Sequence, residues 1–130
     1  MNSSFKRNNS AHIVPTKLTS SDLIYNASYN HWCPVGDIDG VTCKRIKTPN
    51  DYHGFLLRYE SGANSGIQVN TDEFESLDIR LGSVTNAITD ETYREGDKVT
   101  FDKGEVRELI CEGEDAYIYC VMSKSKSKLP

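Results

Sequence analysis

From Gly40 onward no segment of this chain sustains a 3.6-residue apolar period between helix caps. Apolar residues recur instead in short runs, broken every few positions by Gly, Asn or Asp. A chain patterned this way is left with sheet as its way to bury a core. The expected strands are Val41–Lys47, Gly54–Glu60, Ile67–Asn70, Phe74–Leu81, Ser83–Thr89, Lys98–Phe101, Val106–Cys111 and Ala116–Met122. About eight strands at this spacing predict an all-β sandwich or barrel, and the pattern alone does not choose between them. Glu112-Gly113-Glu114-Asp115 lies between two strongly apolar runs and predicts a closing hairpin.

Residues 1–20 are polar and read as a flexible arm. Leu23, Ile24, Tyr25 and Trp32 form a short irregular lead-in ended by Pro34 and Gly36. A globular body follows over residues 21–122. The remaining residues, 123–130, alternate serine with Lys124, Lys126 and Lys128 and form a disordered basic tail. With 130 residues and 37% of them apolar, the chain fits one domain with a modest core.

A formal net charge of −4 gives no electrostatic footprint for nucleic acid. The longest apolar run, Ala116 to Met122, is far too short to span a bilayer, and no signal-like stretch opens the chain. The expectation is a cytoplasmic protein without membrane contact. Cys33, Cys43, Cys111 and Cys120 make no CxxC or metal-knuckle spacing and are expected to be free and mostly buried.

Strand alternation places Glu75 with Leu77, Ile79 and Leu81 on the apolar face of its strand. A carboxylate there must be paired, hydrogen-bonded, protonated or bound to metal. Gln68 and Asn70, two apart, share a face of another strand. Arg107 shares one with Leu109 and Cys111.

These residues sit in a glycine frame. Gly62, Gln68, Asn70, Glu75 and Gly82 read G-x5-Q-x-N-x4-E-x6-G, and Gly96, Asp102, Gly104, Arg107 and Cys111 read G-x5-D-x-G-x2-R-x3-C. The spacing resembles the two motifs of the cupins, G-x5-H-x-H-x3-4-E-x6-G and G-x5-P-x-G-x2-H-x3-N, over residues 32–122. Gly40-Val-Thr-Cys-Lys44, Leu56-Leu-Arg-Tyr-Glu-Ser-Gly62 and the preceding Trp32 look like the single-domain ChrR-type members in particular. The resemblance implies a small double-sheet jelly-roll barrel. It also implies a central site at Gln68, Asn70, Glu75 and Arg107, where the family gathers three histidines and a glutamate around a metal.

The substitutions undo that site as a metal centre. Gln68 and Asn70 offer only amide oxygens, and Arg107 is a permanent cation with donors alone. No metal and no cofactor are expected. Arg107 is expected instead to fill the metal's place and pair with Glu75. The competing expectation carries its head to the barrel mouth and into water.

The first functional reading is therefore a metal-free cupin-like domain. It would bind a small polar or anionic ligand near Arg107, or serve as an interaction module. An alternative is a metal-independent isomerase or epimerase of a small sugar-like substrate, which needs a base such as His31 or a tyrosine. A dioxygenase-like metalloenzyme with unorthodox ligands is the third. No motif assigns a catalytic residue, so whether the chain is an enzyme stays open at this point. His12 and His53 are expected at the surface, Tyr117 and Tyr119 in the core or barrel wall, and Arg58 and Tyr59 are candidates to line the cavity. A homodimer paired through sheet edges is the expected assembly.

Overall fold

A computed structural model describes residues 27–48, 52–70 and 74–123. The arm, the Leu23–Tyr25 lead-in, His12 and residues 124–130 of the basic tail lie outside these residues, while Ser123, expected in that tail, ends the last strand. The described residues form strands and turns without any helix, so none is long and apolar enough to cross a membrane.

The strands are β1 (Cys33–Pro34), β2 (Val41–Ile46), β3 (Tyr52–Tyr59), β4 (Gln68–Val69), β5 (Phe74–Leu81), β6 (Ser83–Asn86), β7 (Glu91–Arg94), β8 (Lys98–Asp102), β9 (Val106–Arg107), β10 (Leu109–Ile110) and β11 (Ala116–Ser123). Six of them make one antiparallel sheet in the order β1-β2-β3-β11-β5-β8. Sheets β10-β6-β7 and β4-β9 supply the facing wall. A single apolar cluster joins the walls: Leu57, Leu77, Ile118 and Met122 from the large sheet meet Val84, Tyr93 and Leu109 from the other. This is the predicted all-β double-sheet jelly-roll barrel.

Alternation explains the large sheet. Ala116, Ile118, Cys120 and Met122 of β11 are buried, while the residues between them are half-exposed. Val41, Cys43 and Arg45 of β2 lie opposite Tyr59, Leu57 and Phe55 of β3, so all six face inward.

Several expectations change. For Tyr117 and Tyr119 the expectation of core or barrel wall narrows to the wall, on the outer face of β11. The ring of Tyr117 meets Trp32 edge-on at 6.2 Å between centroids, and Arg80 lies over Tyr119 at 6.0 Å. Leu81 leaves the face of Glu75 and is 52% exposed, because the β5–β11 register shifts between Tyr117 and Ile118. Residues 112–115 do not close a hairpin. β10 pairs with β6 and β11 with β3 and β5, so this turn carries the chain from one wall to the other. The run expected as one strand from Val106 to Cys111 breaks at Glu108, where β9 pairs with β4 and β10 with β6. His53 lies inside β3 and is half-buried.

Candidate functional site

Glu75 is completely buried on the inner face of β5, at the end of the barrel where β5 starts and β11 finishes. Arg107, 4% exposed, enters from β9 on the facing wall, and its Nη1 donates to Glu75 Oε1. The guanidinium also lies over the Phe101 ring, 4.9 Å from its centroid. The other carboxylate oxygen, Oε2, accepts the Cys120 thiol at 3.1 Å. Each oxygen of Glu75 thus has a protein donor. Arg107 points into the barrel and does not reach for its mouth.

The two amides flank this pair. Gln68 is the register partner of Arg107 across β4 and β9 and is 6% exposed. Asn70 follows, 2% exposed, and its Nδ2 donates to the Phe101 carbonyl at 2.9 Å. Its backbone is clamped as well: Asn70 N–H donates to Glu105 O at 2.9 Å, and Gly104 N–H donates to Asn70 O at 2.6 Å. The structure therefore brings Gln68, Asn70, Glu75 and Arg107 into one buried polar cluster.

Burial opposes the charge of Arg107, but the field and hydrogen bond of Glu75, aided by Tyr59 and Cys120, win, and its pKa moves up. Tyr59 shares this field. Burial pushes its hydroxyl up to about 12, more strongly than Arg107 pulls it down. A phenol held protonated in this way is a poor general base. His31 is exposed on the lead-in, and Tyr117 and Tyr119 face outward, so of these candidate bases only the protonated Tyr59 stands near the cluster.

The fold's usual metal does not fit these residues. Glu75 is committed to a guanidinium and a thiol, and a cation at the cluster would meet Arg107 at once. Among the described residues no group of three or more His, Cys, Asp or Glu could hold a metal ion.

Sequence reasoning missed a second feature at the same end of the barrel. His53, Met122 and Glu75 stand side by side across β3, β11 and β5, so only the Met122 side chain separates the histidine's column from the cluster. Arg45 Nη2 lies 2.9 Å from His53 Nδ1. Arginine can only donate, so Nδ1 accepts and the neutral ring carries its proton on Nε2. The Arg45 guanidinium is flanked by Tyr29 and Phe55, whose ring centroids are 5.5 and 5.6 Å away. A cavity of about 300 Å³ opens here, lined by Tyr29, Arg45, Lys47, Thr48, Tyr52 and His53 among others. The signal was present in the sequence: Val41, Cys43 and Arg45 alternate, which sends an arginine inward next to two core residues. Cys120, two from Ile118 and Met122, was legible in the same way.

No protein-family model and no curated protein sequence matches the chain. Comparison with solved structures does define its fold. KdgF from Halomonas sp. superposes with a TM-score of 0.63 at 13% identity, covering 77% of this chain and 92% of that one. An RmlC-like cupin from Shewanella frigidimarina gives 0.63 at 10% identity, over 79% and 94%. A sugar phosphate isomerase of the cupin superfamily from Silicibacter pomeroyi gives 0.58 at 18% identity, over 67% and 61%. This chain has the cupin fold. At such identities the likeness reaches no further than the fold, which hosts many unrelated activities.

Proposed function

We propose that this chain is a metal-independent cupin-fold binding module for a small anionic ligand, held at the rim of the barrel by Arg45, Lys47 and His53. The observation that carries the reading is the Glu75–Arg107 pair. A fixed cation that occupies the one carboxylate of the cluster supports a site without a metal. Arg107 is itself committed to Glu75, so the ligand expected beside it is assigned to the neighbouring cavity instead. There two further cationic side chains, a histidine and two tyrosines line a volume suited to a small molecule. The wall residues offer charge-assisted donors for carboxylate or phosphate oxygens and aromatic surface for the rest of the ligand.

Two measurements test this. Elemental analysis of the purified protein is expected to find no stoichiometric iron, zinc, nickel or manganese; any of these at one per chain overturns the metal-independent reading. A thermal-shift screen of carboxylates, sugar phosphates and nucleotides is expected to give a stabilising anion. That stabilisation should weaken at least tenfold in apparent affinity in Lys47→Ala and Arg45→Met. A hit that binds these variants unchanged would remove the ligand from the rim.

A further inference from the structure

Cys33 and Cys43 are register partners across β1 and β2, and directly opposed residues point to the same side of a sheet. Val35 N–H donates to Val41 O at 3.2 Å, two steps further along the same ladder. Pair types alternate in an antiparallel ladder, so Cys33 and Cys43, two steps from Val35 and Val41, form a hydrogen-bonded pair. Pro34, which has no N–H, falls opposite Thr42 at the intervening position that needs none. Opposed Cα atoms in a hydrogen-bonded pair stand about 5.5 Å apart, within the commonest range spanned by a disulfide. The two thiols are free in this structure. They differ in access: Cys33 is half-buried at the sheet edge, whereas Cys43 has no exposure.

We propose that Cys33 and Cys43 are an oxidation site, a cross-strand thiol pair that closes to a disulfide by exchange with a small-molecule disulfide. In the first step the Cys33 thiolate attacks one sulfur of the reagent, releasing one thiolate and leaving a mixed disulfide on the exposed residue. In the second the Cys43 thiolate attacks the Cys33 sulfur and displaces the other reagent thiolate. The protein loses two protons and two electrons, and the reagent disulfide is reduced to two thiols. In the reduced protein burial, and less so the neighbouring Cys33, push the Cys43 thiol up to about 11; the burial remains once Cys33 is capped and makes the second step the slower one.

The bond would fasten the lead-in to the sheet. That segment already joins β2, since Arg45 N–H donates to Ser28 O at 2.8 Å. It also carries Tyr29 to Arg45 and Trp32 to Tyr117. Oxidation therefore fixes one wall of the rim cavity without touching Glu75 or Arg107. Neither exchange step depends on whether that cavity binds an anion.

The test is oxidation of the full chain with glutathione disulfide at mildly alkaline pH, read by intact mass and non-reducing peptide mapping. The expected product is lighter by two hydrogens, contains a Cys33–Cys43 cross-linked peptide, reverts with dithiothreitol and melts several degrees higher. Cys43→Ser is expected to stop at one glutathione on Cys33. Should that variant not fold, Cys33→Ser decides by itself: the edge position tolerates the change, and neither cross-link nor adduct should form. A mixed disulfide that persists in the parent protein, a cross-link to Cys111 or Cys120, or no reaction at all overturns the proposal.

Discussion

Glu75 is a side chain whose replacement alone should cost far more than its replacement together with Arg107. Glu75 and Arg107 are both almost wholly out of water, so each depends on the other for charge compensation. Glu75→Gln leaves a buried guanidinium without its counter-charge and is expected to destabilise the fold by about 3–5 kcal/mol in urea unfolding. Replacing the pair together, Glu75→Leu with Arg107→Met, exchanges two desolvated ions for apolar volume. It is expected to recover most of that loss, to within about 1 kcal/mol of the parent or above it. A single and a double variant of equal stability would show that the two charges do not depend on each other. Surface pairs do not share this leverage. Arg58 donates to Asp115 at 2.9 Å, but both side chains are more than a third exposed.

At the level of elements, the turn after β5 is the most constrained by close approach. Gly82 has φ of +75°, and a Cβ there would stand 2.7 Å from Asp115 O and 2.9 Å from Ala116 Cα. Those are backbone atoms of the turn that brings the chain into β11, so they cannot swing away. Gly62 has a similar φ of +89° with nothing within 4 Å of such a Cβ. Gly62→Ala is therefore expected to lose about 1–2 kcal/mol through backbone strain alone, and Gly82→Ala clearly more. Equal losses in a denaturant series would show that the close approach does not matter. These glycines also explain how much was legible. Strict spacing between them revealed the frame, and alternation placed Glu75 inward, because both are local properties of one strand and its turns. Which strand pairs with which is not local. Glu112–Asp115 has the composition of a hairpin turn, yet its strands join different sheets. β7 was missed because Glu-Thr-Tyr-Arg buries only Tyr93, and its turn is made at Asp90, a non-glycine residue at φ +66°. The Arg45–His53 contact was out of reach for a related reason: it joins residues of two strands that only the pairing of β2 with β3 brings together.

For the whole molecule, the buried protons set a limit on the alkaline side. Cys43 and Tyr59 both hold their protons more tightly in the barrel than in an unfolded chain. Their contribution is complete below the ordinary thiol value of 9.0. It is lost as pH rises through about 11 for Cys43 and about 12 for Tyr59. The urea midpoint is expected to fall steadily above pH 9, and Tyr59→Phe to flatten the decline between 10 and 12 once its own baseline is subtracted. A midpoint level across that window would contradict the burial of both groups. β11 stands between β3 and β5 in the large sheet, yet it follows both along the chain, and its partners are distant in sequence. The hairpin-like contacts of β2 with β3 and of β6 with β7 can form early, but the two halves of the sheet share no edge until β11 is inserted. Folding should then be slow, with non-local pairing as its barrier. A chain emerging in order from its synthesis holds the edges of β3 and β5 open until the last of its described strands arrives to fill the gap.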